Sequence, residues 1–166
     1  IYNLEVNLYI GDGIDGTLFS SCSLEVKAAG DSKDKAYMAA LKKIKASDPQ
    51  YQIFINEGKK KIVDYYTAKC DFIITQAQTK AKNQDFDAAI AELMQVPDVC
   101  KECYDKCMAA AQPIYQEKIN QEGAKLLAEA RGVWSAGQDV AAAEAAAAIL
   151  AQVNPQSSAF AGAESL

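Results

Sequence analysis

From Tyr2 to Ile10 apolar and polar residues alternate, with Tyr2, Leu4, Val6, Leu8 and Ile10 on one side and Asn3, Glu5 and Asn7 on the other. A period of two marks a half-buried strand. Gly11-Asp12-Gly13-Ile14-Asp15-Gly16 is dense in turn formers, and the alternation resumes through Leu18, Ser20, Cys22, Leu24, Val26 and Ala28, so the pair reads as a β-hairpin. Gly30-Asp31-Ser32 then punctuates the chain. Ala36, Ala40 and Ile44, flanked by Tyr37 and Leu41, give the next helix an apolar face, while Lys33, Lys35, Lys42, Lys43 and Lys45 solvate the other. Asp31 or Ser32 is its expected N-cap. Asp48-Pro49 is expected to end that helix, and Tyr51-Gln52-Ile53-Phe54-Ile55 to follow as a short strand.

From about Glu57 the period lengthens, with Ile62, Tyr66, Cys70, Ile73, Ala77 and Ala81 stepping by three or four along one amphipathic helix. A second helix is expected from Asp85 to Val96, stopped by Pro97. A third starts near Asp98 with Val99, Cys103, Cys107, Ala110 and Ile114 inward, and Pro113 is expected to kink or split it. Helical spacing resumes through Ile119, Leu126, Leu127, Ala130 and Trp134 to Gly137, read as a C′ glycine, and a last long helix runs from Asp139 to about Val153 before Pro155. Ser157 to Leu166 has Ala159, Phe160, Ala163 and Leu166 at helical spacing, as a further helix or a frayed end would. The fold class is therefore α+β. A ββαβ domain over residues 1–56, with a small antiparallel or mixed sheet and one helix, precedes an all-α antiparallel helical-hairpin domain over 57–166.

One phrase occurs twice, as Gln84-Asp85-Phe86-Asp87-Ala88-Ala89 and as Gln138-Asp139-Val140-Ala141-Ala142-Ala143, each opening an Ala-rich run that closes before a proline. Trp134, Val140, Ala143, Ala147, Leu150 and Pro155 resemble the second half of a tetratricopeptide repeat: an aromatic in one helix, alanines where helices cross, and a terminal proline. Small residues let helix axes approach to the lower end of the usual ~8–10 Å, and the aromatic fills the groove opposite. The earlier copy, with Phe86, Ala89, Leu93 and Val96, matches over its second helix alone. It departs from the pattern in that Pro97 comes early and Lys80 stands where an aromatic is expected; the copies also lie fifty-four residues apart instead of about 34. The resemblance covers at most residues 65–166 and implies stacked hairpins with a protein-binding face; an unrelated antiparallel bundle fits the same pattern. Upstream, Leu24-Glu25-Val26-Lys27-Ala28-Ala29-Gly30-Asp31-Ser32 leading into Ala36-Tyr37-Met38-Ala39-Ala40-Leu41 resembles the strand, glycine turn and helix of LPP20-type bacterial envelope lipoproteins. That implies an extracytoplasmic accessory or assembly protein, although the lipid-bearing cysteine of that family is not visible.

Charge narrows the partners. Residues 1–82 carry twelve lysines against ten carboxylates, and residues 83–166 five basic residues against twelve. An acidic second half and a single arginine, Arg131, lack the bidentate guanidinium groups that dominate phosphate and guanine recognition, so nucleic acid is not an expected partner. Charged residues interrupt every hydrophobic stretch before the roughly 20 apolar residues of a membrane span, and no transmembrane segment is expected. The chain begins at Ile1, from which we expect that an initiator, signal peptide or longer N-terminal region has been removed.

The chain has no histidine, which excludes a histidine-based serine triad at Ser20-Ser21 or Ser157-Ser158. Five cysteines, Cys22, Cys70, Cys100, Cys103 and Cys107, form no framework-like spacing and read as reduced thiols, with a single bridge in an exported protein left open. Cys100, Cys103 and Cys107 share one helix face that Cys70 could approach from the preceding helix. A helix N-terminus lowers thiol pKa values, so a redox pair or soft-metal site is conceivable, but the positions also coincide with the buried stripe. Gly11–Gly16 lacks the further carboxylates of a calcium loop and is read as a turn. Asn56-Glu57-Gly58-Lys59-Lys60-Lys61 lacks the Ser or Thr of a phosphate loop and is read as a solvated helix start. Asp64, Asp71, Glu102 and Asp105 sit among polar helix positions, without the apolar setting that tunes a catalytic carboxylate.

No catalytic, cofactor or metal residue is assigned, and the expected role is non-enzymatic. The chain is read as a protein–protein interaction or assembly module, bound to another protein or to itself; the lipoprotein resemblance implies an accessory of a bacterial envelope system outside the cytoplasm, with the cytoplasm left open. The alternatives are a redox or soft-metal protein using Cys100, Cys103 and Cys107, and a structural part of a larger envelope or viral assembly. Self-association has a physical route in the Tyr2–Ile10 strand, a candidate open edge.

Overall fold

The computed structural model describes residues 1–45 and 47–166, and the fold is α+β: one antiparallel hairpin followed by helices. Ala46, inside the stretch expected to carry the first helix to Asp48, lies outside the described residues. Two compact units emerge, Ile1–Ala68 and Lys69–Leu166. The boundary expected at 56/57 falls within a continuous helix.

In the first unit β1 (Tyr2–Gly11) pairs with β2 (Leu18–Ala28), Leu4 opposite Val26, Val6 opposite Leu24 and Leu8 opposite Cys22, with a register shift at Ile10/Gly11. The alternation works as the sequence requires. Leu4, Val6, Leu8, Ile10, Cys22, Leu24 and Val26 are half-buried, while Asn3, Glu5, Asn7, Ser21, Ser23, Glu25 and Lys27 are exposed. α1 (Lys33–Leu41) is capped by Ser32, whose Oγ accepts the Lys35 amide at 3.3 Å, and buries Ala36 and Ala40. Gly30 is required by closeness, because a Cβ there would lie 2.4 Å from the Ala36 nitrogen.

The expected strand at Tyr51–Ile55 is helical. α2 runs from Pro49 to Lys82, so Pro49 opens a helix, and α1, expected to end at Asp48-Pro49, has already ended at Leu41. Asp48 Oδ1 accepts the Gln50 amide at 2.9 Å, and proline in the first helical turn gives up an amide that has no helical partner there. Tyr51, Phe54, Gly58 and Tyr66 fall on one buried stripe, so helical packing overrides the β preference of Tyr, Ile and Phe. Gly58 lets α2 press on the sheet, since a Cβ would meet Ile10 Cδ1 at 2.5 Å.

α2 also locks the hairpin turn. Asp12 accepts the Ile14 amide on one oxygen and the Tyr66 hydroxyl on the other, and Asp15 divides its oxygens likewise between the Thr17 amide and the Tyr65 hydroxyl. Tyr65 packs edge-on to Phe19 at 5.4 Å and to Tyr66 at 5.1 Å. The Tyr66 hydrogen bond holds the Asp12 carboxyl below its usual range, while burial and then that same bond push the Tyr66 hydroxyl up.

The second unit comprises residues 69–82 of α2, α3 (Phe86–Met94), α4 (Lys101–Gly137), α5 (Val140–Leu150) and α6 (Phe160–Glu164). Pro113 does not split α4. Its 37 residues form one helix, with Cys103, Cys107, Ile114, Ile119, Gly123 and Ala130 buried along it. An interior proline costs about 3 kcal/mol, and α4 offsets this by packing against α3 and α5. Lys118 bridges to Asp87 of α3. Near the end of the chain, Ser157 sits over Gly123, where a Cβ would be 2.2 Å from its Oγ, and Asn120 Oδ1 accepts the Ser158 amide at 2.8 Å.

Both copies of the repeated phrase do the same backbone work. Gln84 (φ 64°) and Gln138 (φ 51°) are left-handed residues that end a long helix, and Asp85 and Asp139 are the N-caps of the short helix that follows. Asp139 Oδ1 accepts the Ala142 amide at 2.8 Å. Gly137, expected as the left-handed glycine, is instead the last helical residue, and it makes room for α5: a Cβ would lie 2.5 Å from that of Ala142.

Two outcomes follow. A left-handed conformation costs an L-residue about 1–2 kcal/mol, part of which glycine returns as extra chain entropy, so Gln84→Gly and Gln138→Gly each stabilise by about 0.5–1 kcal/mol in urea unfolding. Tyr66→Phe destabilises by about 1 kcal/mol, since Asp12 remains accessible to water. The depressed Asp12 contributes stability above the unfolded aspartate value of about 4, lost as pH falls through the folded value. The raised Tyr66 contributes below the unfolded tyrosine value of about 10, lost as pH rises towards the folded value. Tyr66→Phe therefore flattens both flanks of a plot of unfolding midpoint against pH.

Candidate functional site

Two features of the second unit can act on something outside the fold: a sulfur cluster and an apolar groove. Cys70 of α2 and Cys103 in the first turn of α4 form a disulfide, S–S 2.10 Å and Cα–Cα 5.7 Å, across 33 residues of chain. Cys107, one turn along α4, is fully buried, and the Sγ atoms of Cys70, Cys103 and Cys107 all lie within 4.8 Å of one another. Cys100 is the N-cap residue of α4 and is also buried. The cysteines thus share a buried face with Cys70 approaching it, as their spacing implies. The expectation of reduced thiols is corrected for Cys70 and Cys103, and the single bridge left open is what forms. Spacing along one helix identifies a face; it does not tell which turn of another helix comes within bonding reach.

Burial, and next the neighbouring Cys100, push the Cys107 thiol up. Burial that favours the thiol over the thiolate makes Cys107 a slow nucleophile towards the bridge beside it.

The remaining sequence candidates do not converge. In Gly11–Gly16 both aspartates are engaged in closing the turn, and Gly16 (φ 77°) supplies its left-handed residue. Asn56–Lys61 is corrected from a helix start to the interior of α2. Asp64, Asp71, Glu102 and Asp105 are all exposed; Glu102 pairs with Lys106 at 2.8 Å and Asp105 with Lys101 at 2.6 Å along the surface of α4. Ser157 is buried, with its Oγ accepting the Ala159 amide.

The expectation that Trp134 fills the groove opposite the alanines of α5 is corrected, because the groove stays open. It is an open hollow of about 220 Å³ between the end of α4 and α5, lined by Trp134, Ala143, Ala146, Ala147, Leu150 and Leu166. The repeat explains why it is empty of side chains. Fifty-four residues earlier, Lys80 and Glu92 occupy the positions of Trp134 and Ala146, and there they meet as an ion pair in which Glu92 is only 16 % exposed. Alanine cannot reach across, so a flat indole stands over a floor too small to fill the space. Trp134 stays 39 % exposed and Val140, at the start of α5, 76 %.

No protein-family model, curated protein or solved structure matches the chain.

Closing a 33-residue loop removes unfolded-chain entropy worth about 3.5 kcal/mol. Cys70→Ser or Cys103→Ser should lower unfolding stability by about that amount, and reductant should then add no further loss. In the intact oxidised protein, Cys107 should resist a thiol reagent until denaturant opens the fold.

Proposed function

We propose that the chain is a non-enzymatic protein-interaction or assembly module, and that the groove between α4 and α5 receives an amphipathic helix from another protein. The carrying observation is the open apolar hollow under Trp134 at the place where the first copy of the hairpin is closed by Lys80 and Glu92. A helix is the fitting occupant because the first hairpin already accepts one: α3 packs against α4. Alanines 143, 146 and 147 permit close backbone approach, while large side chains from the partner fill the hollow. The exposed Trp134 is the type of residue that dominates binding energy at interfaces. Stacked hairpins of the tetratricopeptide-like kind present such surfaces by construction, since each buries its core against a neighbour.

No helix among the described residues is long and apolar enough to cross a membrane. The Cys70–Cys103 bridge is a bond of oxidising compartments, which supports the extracytoplasmic reading.

A photo-crosslinking residue at position 147, used in the native host, should capture a partner through a helical segment. Ala147→Glu puts a carboxylate on the exposed groove floor without disturbing helix propensity; it should weaken that complex at least about tenfold while helical content is unchanged. A partner that binds the Ala147→Glu chain equally well would remove the groove from the function.

A further inference from the structure

The disulfide and Cys107 make a three-sulfur centre whose chemistry is independent of the groove. We propose that in the reduced chain Cys70, Cys103 and Cys107 form a three-coordinate thiolate site for a soft monovalent metal ion, Cu(I). The bridge and the metal site are then alternative fates of the same sulfurs.

Convergence is the first argument. The three Sγ atoms come from two helices and already lie within 4.8 Å of one another. Opening the bridge takes two electrons and two protons, supplied together by two thiols that become a disulfide, or by a phosphine that gives the electron pair and a water that gives both protons and the oxygen of the phosphine oxide; the Cys70–Cys103 S–S bond breaks and two thiols are left in non-bonded contact. Metal–thiolate bonds of about 2.3 Å place the sulfurs of a trigonal ion about 4 Å apart, within the spacing available here. Cu(I) in place of the three thiol protons yields one trithiolate complex and up to three released protons, with no change in copper oxidation state.

The donor set selects the ion. Three sulfurs without a histidine in the chain are a soft set. Structural zinc takes four ligands in a tetrahedron, and only three ligand atoms converge in this group. Hard cations would need oxygen, while the carboxylates nearest in sequence, Asp71, Glu102 and Asp105, are exposed. Cys103 lies in the first turn of α4, where the helix end carries partial positive charge and stabilises a thiolate. Burial of Cys70, Cys103 and Cys107 at 5 %, 2 % and 0 % exposure shields a bound ion from water and from oxidants. Because binding displaces protons, affinity should fall as pH is lowered.

The order of events gives the site a use. A new chain is reduced, and disulfides form over seconds to hours. A chain that meets Cu(I) first holds its sulfurs as thiolates; one that meets a disulfide oxidant first transfers two electrons to it and closes the brace.

The test uses the full chain, reduced with a phosphine that is converted to its oxide and then removed without oxygen. Cu(I) is titrated against a coloured Cu(I) chelator. One Cu(I) per chain should bind, with an ultraviolet thiolate-to-copper charge-transfer band and a three-sulfur shell in X-ray absorption. The oxidised chain should not bind it. Cys107→Ser leaves the bridge intact, so its fold is checked by circular dichroism in the oxidised state. Once reduced, it should lose more affinity than the 10–100-fold typical of an outer-shell change, whereas Cys22→Ser and Cys100→Ser should bind as the parent does. Loaded chain should also resist closure of the bridge by oxidised glutathione. Equal affinity in Cys107→Ser, a four-sulfur shell that requires Cys100, or a reduced chain that loses its helices and does not regain them with Cu(I) would each overturn the proposal.

Discussion

Helix α4 is the element on which the second unit depends, because it serves two hairpins at once. Its first half is covered by α3 and tied to α2 by sulfur, and its second half is covered by α5. A helix carrying a proline in its middle would break in isolation, and burial of Ile114 immediately after Pro113 and of Ile119 a turn later keeps this one whole. Small residues set how closely its neighbours come: Gly123 admits Ser157, and Gly137 admits Ala142. Larger side chains at either place would push a neighbour outward and expose the surface that compensates for the proline.

Most of the architecture was legible in residue order. The period-two pattern from Tyr2 to Ala28 specified the hairpin and its buried face, and Ser32 and the three- and four-residue steps from Ile62 to Ala81 specified helices. The errors share a cause. Asp48-Pro49 was read by proline's local effect, as a stop, and Pro113 as a kink or a split, whereas tertiary contacts decided that one begins a helix and the other lies inside a helix that does not split. Tyr51–Ile55 has strand-like composition, but the sheet is two-stranded and the same side chains bury well at helical spacing. Gly137 was assigned the left-handed position by composition, yet the chain uses Gln138 and spends the glycine on proximity.

The sites were less legible, for a geometric reason. Cysteine spacing marked a helix face, while the bridge needs two residues 33 apart in sequence to meet at 5.7 Å between Cα atoms. The groove needs knowledge of what is missing, since its floor is alanine and alanine announces itself only as a helix former. The Tyr65–Asp15 and Tyr66–Asp12 contacts were invisible for the same reason: fifty or more residues separate partners that α2 brings to the turn.

The paired glutamines have a consequence for how such a chain changes over generations. Two segments turn at a left-handed glutamine and begin their short helices at an aspartate, although only Asp139 caps its helix through its side chain. One of them carries the Lys80–Glu92 ion pair at the positions that Trp134 and Ala146 hold in the other. Around Trp134, substitutions at the exposed Ala143 and Ala147 would leave the buried Ala142 and Ala146 in place, whereas substitutions at the latter pair would disturb how α5 covers α4.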